Sequence, residues 1–459
     1  MKLSLCTIVK DEAESLPACL DSVREVVDEM IVLDTGSTDD TIAVAEQAGA
    51  IVHTYTWNND FAAARNEALK HVSGDWVLVL DADERLNPAI ASQLRLAILN
   101  ENILVVNLLR QEVGATQTPY SLVSRLFRKH PQLQFTRPYH ALIDDAANAV
   151  LKSEPNWQIM ALSNVAIVHF GYEPGAIAAK GKTERARAAM EQYLAANPND
   201  AYACSKLGAL YMQIGEVAKG AELLARGLQD PQAEAPVLFE LNYHLANASA
   251  RQGEIDQAVI HYQAALAQPV FPILKLGAYN NLGSLLLEAG EAEMALRPFM
   301  AAVSVDPSFV KGYYNLGMAL KAQGNFKDAI KAYERAIQLR PDFAQAHQNL
   351  GVVWLKCGNV KDGLACFGRA IALLEHQNML EAERLRQSIS QMGFKAPKFT
   401  VEEVLAGIQT RPEPESPSLA ATVTTSPTTD DPAQRQPPAP NPTPTAKGKS
   451  GGKGKRKRR

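Results

Sequence analysis

The chain has 459 residues, 46% apolar and 21% charged, a globular composition too long for one ordinary core. The net charge of -4 hides an asymmetry: residues 447–459, KGKSGGKGKRKRR, hold eight Lys or Arg and no acid, so the rest is near -12, which argues against a basic body built to coat nucleic acid. The five cysteines (Cys6, Cys19, Cys204, Cys357, Cys366) form no C-x-x-C pair and no zinc spacing, and so odd and scattered a set points to a reducing compartment.

The N-terminus, MKLSLCTIVKDEAES, has an apolar run of only seven residues before Lys10, Asp11 and Glu12, too short for a signal peptide. No window approaches the length of a membrane span, so a cytoplasmic protein is expected. Up to about residue 170, the runs LSLCTIV, MIVLD, AIVHTY, WVLVLD and ILVVNLL alternate with helical segments such as AESLPACLDSVREV and DFAAARNEALKHV. This predicts an α/β domain over 1–172 with a mainly parallel sheet covered on both faces. Sites in such sheets lie at the carboxyl ends of strands. Asp34 and Asp81 each end a strand and are expected to open into one crevice.

After a joining helix at 173–200, residues 201–392 repeat. Leu-Gly or Leu-Ala pairs fall at 207–208, 245–246, 282–283, 316–317 and 350–351, with a second glycine at 215, 253, 290, 324 and 358. The copy YYNLGMALKAQGNFKDAIKAYERAIQLRPDF closely resembles tetratricopeptide repeats. Small residues at Ala258, Ala295 and Ala329 let paired helices approach, and the second glycine permits the turn. About five stacked repeats, closed by a helix near 378–392, are expected to form an all-α solenoid whose groove takes a protein or peptide. From 393 the chain is rich in Pro, Ser and Thr and is expected to be disordered. Its basic end suits solubility or weak contact with an anionic surface.

The stretch VLVLDADERLNP places Asp81 and Asp83 at the end of an apolar run. Alone, D-x-D can be a loop that caps the helix after Pro88. Three other stretches stand beside it: CTIVKDEAESL with Lys10 and Glu12, MIVLDTGSTDDT with Asp34, and DFAAARNEAL with Arg65. In this order the four motifs closely resemble the nucleotide-sugar domain of family 2 glycosyltransferases, a GT-A, Rossmann-like fold. The resemblance covers about residues 1–172.

The resemblance implies roles. Asp34 would accept a hydrogen bond from the donor's base, although a turn residue in T-G-S reads the same way. Lys10 and Glu12 would belong to the nucleotide cleft, or be solvated charges. Arg65 and Asp81 would line the nucleotide–diphosphate site, or Arg65 would form a surface ion pair. Asp83, with Asp81, would hold Mn²⁺ or Mg²⁺, because carboxylates facing a diphosphate repel it by about 4 kcal/mol per pair at contact distance unless a cation intervenes. His169, in VAIVHFGYEP, resembles a metal-binding histidine of related sequences and is otherwise a core histidine; an imidazole favours Mn²⁺. Repeat-bearing relatives carry a G-x-x-H-E type stretch where this chain has RPYHALIDD. Ala141 stands in the acidic position, leaving Asp144 or His140 as the catalytic group. The expected activity is metal-dependent, inverting transfer from a nucleotide sugar, such as a UDP-sugar, to an acceptor. The alternative is a repeat scaffold on a domain that no longer turns over. The absence of glycine from TIVKDEAES counts against a nucleotidyltransferase and excludes a dinucleotide-dependent dehydrogenase.

Overall fold

Strand β1 (Leu3–Val9) alternates between two cores, as a strand covered on both faces must. Leu3 and Leu5 face one apolar layer, and Cys6 faces the other. The computed structural model describes residues 1–58, 60–115, 119–137, 141–170 and 180–406. Within them β1 pairs in parallel with β2 (Glu29–Asp34) and β4 (Trp76–Val79), and β2 with β3 (Ile51–Thr54). Helices α1 (Leu16–Val23) and α4 (Ala91–Ile98) cover one face, while α3 (Phe61–His71) and α5 (Asp144–Ser153) cover the other. The short α2 (Thr41–Gln47) packs beside α1.

The sheet is less parallel than the sequence suggests. Four further strands complete it: β5 (Glu84–Leu86), β6 (Ile103–Glu112), β7 (Tyr120–Arg128) and β8 (Gln158–His169). The order is β3-β2-β1-β4-β7-β6-β8-β5, with β7 antiparallel to both β4 and β6, and β5 antiparallel to β8. The physical reason is the chain path: β7 comes after β6 without the intervening helix that a parallel crossover requires. Its sequence, YSLVSRLFR, is interrupted by Ser and Arg and so lacks the apolar run of a buried parallel strand.

The helices of the second half pair as α7/α8 (Ala201–Gln213, Val217–Gly227), α9/α10 (Ala235–Gln252, Ile255–Ala267), α11/α12 (Leu276–Glu288, Ala292–Val305), α13/α14 (Val310–Ala322, Phe326–Leu339) and α15/α16 (Ala344–Lys356, Val360–Gln377). Helix α17 (Met379–Gln391) closes the series. The five inter-helix glycines all take positive φ, between 78° and 90°, a conformation that costs a side-chain-bearing residue about 1 kcal/mol or more. Ala258, Ala295 and Ala329 are fully buried at the helix contacts. Helix α6 (Lys180–Ala196) does more than join the halves: Met190 and Leu194 pack with Leu207 and Tyr211 as the first layer of the stack.

Contact within a pair is close. A Cβ on Gly283 would meet the Phe299 ring at 2.6 Å, so Phe299 fills the space that glycine leaves. Phe299→Ala is expected to destabilise the repeats by about 3–5 kcal/mol, measured by urea unfolding followed by circular dichroism.

The tail starts later than expected. Phe399, Val401 and Val404 join the core of the last repeat, and α18 (Val401–Ala406) is helical, because these apolar residues have a surface to cover on α16. Residues 407–459, including the basic end, lie outside the described residues. Among the described residues no helix is long and apolar enough to cross a membrane.

Candidate active site

Because β1, β2 and β4 are parallel, their carboxyl ends share one edge, and Val9 sits opposite Asp34. Lys10 is exposed on the rim. Glu12 ties the first loop down: its carboxylate accepts from Ser15 Oγ at 2.5 Å and its N–H donates to Thr41 Oγ1 at 2.8 Å. Asp34 is 2% exposed. Its Oδ1 accepts the N–H groups of Gly36 and Ser37 at 2.9 and 3.0 Å. Its Oδ2 is buried and has no partner among the described residues, a spare acceptor next to Thr35, which lines the cleft.

Asp81 heads a network of ions. Its two oxygens accept from Arg65 Nη2 and Arg125 Nη2, each at 2.7 Å. Both of its oxygens are thus held by guanidinium groups. Burial alone would raise its pKa, but Arg125 and Arg65 outweigh that and hold it well below the usual carboxylate range. Arg65 packs over the Phe135 ring at 5.3 Å. Glu84 accepts from the Asp81 N–H at 2.9 Å and from Arg110 Nη1 at 2.7 Å, and Arg110 Nε donates to Glu112 at 2.8 Å.

The network ends at His169. The β5–β8 pairing sets Glu84 opposite His169 and brings Asp83 beside it across 86 residues of sequence. His169 Nε2 lies 3.3 Å from Asp83 Oδ2, and Nδ1 lies 2.6 Å from Glu112 Oε2. Burial would lower the imidazole's pKa, yet its hydrogen bonds to Asp83 and Glu112 push it up to about 9. Glu112 moves the other way, down to about 2: burial opposes ionisation, but His169 and Arg110 prevail. Asp83 keeps a side chain 44% exposed to the cleft.

These residues fit a hard divalent cation. Among the described residues no cluster of three or more His, Cys, Asp or Glu has metal-holding geometry, so the protein offers a pair, Asp83 and His169 Nε2. A Mg²⁺- or Mn²⁺-type ion commonly takes one or two protein ligands and completes its shell with phosphate oxygens and water. Were His169 to bind such an ion through Nε2, Glu112 on Nδ1 would orient the ring.

Asp144 opens α5 on the other side of the cleft. Ser124 Oγ donates to its Oδ1 at 2.6 Å and lies 2.7 Å from the Asn107 carboxamide. A β-bulge makes this possible. Opposite the single residue Asn107, β7 has two, Ser124 and Arg125, so one reaches Asp144 while the next reaches Asp81. Burial raises the Asp144 pKa, against the lowering effect of Ser124. Ala141 packs against the α3/α5 core and contributes no charge. His140 lies outside the described residues.

Arg125, Arg110, Glu112 and Ser124 were not singled out from sequence. The signal was present in LLRQE, where Arg110 and Glu112 sit two apart on one face at a strand end, and in SRLFR, where an arginine interrupts an apolar strand.

The cleft continues into the repeats as one cavity of about 3580 Å³, lined by Asp83, Arg110, Asp144 and His169 from the sheet half and by Tyr202, Lys206, Glu240 and His244 from the first two repeats. The halves are pinned together. Arg137 donates to Asp200 at 3.0 Å and lies 4.8 Å from the Tyr202 ring; Asn148 donates to Glu234 at 2.8 Å, and Tyr120 to Asp306 at 3.1 Å.

Comparison with known proteins agrees with the two-part architecture. Residues 4–160 match the model of glycosyl transferase family 2, and residues 178–236, 276–309 and 310–343 match tetratricopeptide repeat models. A TPR repeat-containing protein of Synechococcus elongatus is 47% identical over 307 residues, which span 67% of this chain and 76% of that relative. The glycosyltransferase SunS of Bacillus subtilis is 28% identical over 200 residues (42% of this chain, 45% of SunS), and a glycosyltransferase of Rickettsia felis 37% over 101 residues (22% of this chain, 35% of the relative). A nucleotide-sugar transferase fold joined to a helical solenoid is thus the class, and the chain belongs to family 2 of the glycosyltransferases, in the form that carries C-terminal tetratricopeptide repeats. The first domain implies a nucleotide-sugar donor, and the repeats imply interaction with protein or peptide.

Proposed function

We propose that this chain is a metal-dependent, inverting glycosyltransferase that moves a sugar from a UDP-sugar to a peptide or protein held along its repeats. The observation that carries this reading is the convergence of Asp83 and the Glu112-oriented His169 at the edge where Asp34 keeps a spare buried oxygen.

In this reading Asp34 Oδ2 accepts the base N–H of the donor. Arg65 and Arg125, fixed by Asp81, give the diphosphate side of the cleft a positive wall. Asp83 and His169 would hold Mn²⁺ or Mg²⁺, which supplies charge neutralisation for the departing nucleoside diphosphate. The acceptor's nucleophile attacks the anomeric carbon from the face opposite the diphosphate. A bond to the acceptor forms, the bond from carbon to phosphate oxygen breaks with its electron pair going to the diphosphate, and the acceptor's proton goes to the Asp144 carboxylate. Asp144 suits this role because burial poises its pKa upward, while Ser124 fixes one oxygen.

Calorimetric titration with a panel of nucleotide sugars, with and without Mn²⁺, tests the reading. The expected result is one or a few donors that bind only with the cation. The scaffold reading, favoured by Ala141, predicts binding without donor hydrolysis. A second prediction concerns pH. Because the metal-free His169 carries its proton up to about pH 9, a cation must displace that proton. Mn²⁺ affinity should therefore rise between pH 7 and 9, by at most about tenfold per unit, and level off above that range. Affinity flat over this interval would remove His169 from the ligand set.

A further inference from the structure

One position in the repeats changes character along the array. It precedes the Leu-Gly or Leu-Ala pair of each first helix and reads Lys206, His244, Asn281, Asn315 and Asn349. All five are half-buried. Four reach the first helix of an adjacent repeat: Asn281 Nδ2 donates to the Tyr243 hydroxyl and Asn247 Oδ1 at 3.2 and 3.1 Å, Asn315 Nδ2 to Asn280 Oδ1 at 2.8 Å, and Asn349 Nδ2 to the Tyr314 hydroxyl at 3.0 Å. Lys206 Nζ donates to both Glu240 oxygens at 2.8 and 2.6 Å. The position is a carboxamide in the three repeats away from the cavity. It is ionisable in the two repeats whose first helices wall it.

Stacking of apolar faces does not require a polar line of this kind. A carboxamide presents one donor and one acceptor in a plane, as a peptide unit does. Lys206 with Glu240 offers the same donor and acceptor in charged form, roughly twice as strong per hydrogen bond. The pair lines the cavity that also holds Asp144 and Arg110, and Tyr202, one turn before Lys206, is the ring that Arg137 covers. Burial would neutralise both members, but each holds the other charged; His244, beside them, is pushed down to about 4 by burial and stays neutral. The charged pair therefore stands where an acceptor needs the tightest placement.

Resting on the peptide-acceptor reading above, we propose that Lys206 and Glu240 are acceptor-positioning residues of the transferase site. The ammonium takes a main-chain carbonyl, and the carboxylate a main-chain N–H, next to the residue that receives the sugar. Asn281, Asn315 and Asn349 line the approach of the extended chain.

The test uses the full chain with Mn²⁺, the UDP-sugar that calorimetry identifies, and arrayed random peptides of about 15 residues containing Ser, Thr and Cys. The double exchange Lys206→Glu with Glu240→Lys keeps an ion pair between the same two helices. A pair that merely joins repeats would tolerate it with peptide transfer unchanged. We expect instead that KM for the best-labelled peptide rises by about tenfold or more, with a much smaller change in kcat. A wild-type KM in the exchanged chain overturns the proposal. If wild type hydrolyses the donor but labels no peptide, the proposal also falls while the donor assignment stands. If no donor binds, the donor assignment fails first. Should the exchange not fold, Lys206→Met with Glu240→Gln, which removes both charges at near-constant shape, is read in the same way.

Discussion

If the proposed function holds, Asp83→Ala is expected to abolish a cation-dependent gain in thermal stability with a UDP-sugar that the wild-type chain shows. At a hundredfold excess over Kd, a ligand specific for the native state adds about 2.7 kcal/mol, on the order of 5 °C or more for a domain of this size. The variant removes the more exposed of the two candidate ligands and leaves His169 paired with Glu112. The fold itself should tolerate the change, since Asp83 sits in a turn at the cleft mouth rather than in the core. The comparison that matters is between shifts with and without Mn²⁺, for wild type and variant. An undiminished shift in Asp83→Ala would show that the donor docks on Arg65, Arg125 and Asp34 alone.

Asp144→Asn should separate binding from chemistry. The amide cannot take the acceptor's proton, so transfer should fall by about 10²–10⁴-fold while the donor Kd stays near its wild-type value. The pH profile gives an independent reading. A base works only when ionised, so the rate falls as pH falls through its pKa. Burial raises that pKa in Asp144, which places the acid limb above the ordinary carboxylate range. Ser124→Ala removes a hydrogen bond that favours the ionised form, and should move the limb to still higher pH. Transfer that persists in Asp144→Asn would return the role of base to His140.

The strand-end residues were legible in the sequence because their physics is local. Apolar runs stop at Val9, Leu33 and Leu80, and in a parallel sheet the residues just past such runs gather on one edge. The five helix pairs were readable for a similar reason, since the paired glycines and alanines recur at a near-fixed interval. Other features depend on partners far away in the chain. Nothing near Asp81 announces that Arg65 and Arg125 will hold both of its oxygens, and the second of these arrives only through a bulge in a strand that Ser and Arg disguise. His169 meets Asp83 because a three-residue strand pairs antiparallel with the end of β8, a pairing with no signature in so short a segment. The boundary of the tail was misplaced because Phe399, Val401 and Val404 are too widely spaced to register as an apolar run, yet each finds cover on the last repeat.

The ties from Arg137 to Asp200 and Tyr202 and from Asn148 to Glu234, which seat the first repeats against the sheet half, bear on engineering. Solenoids invite grafting, because their units look interchangeable. Here a chimera joined after residue 200 would exchange not only a recognition module but one wall of the reaction chamber. Redirecting such a molecule calls for a graft farther out, beyond the second repeat, where new units could alter what is captured without dismantling the place where it is processed.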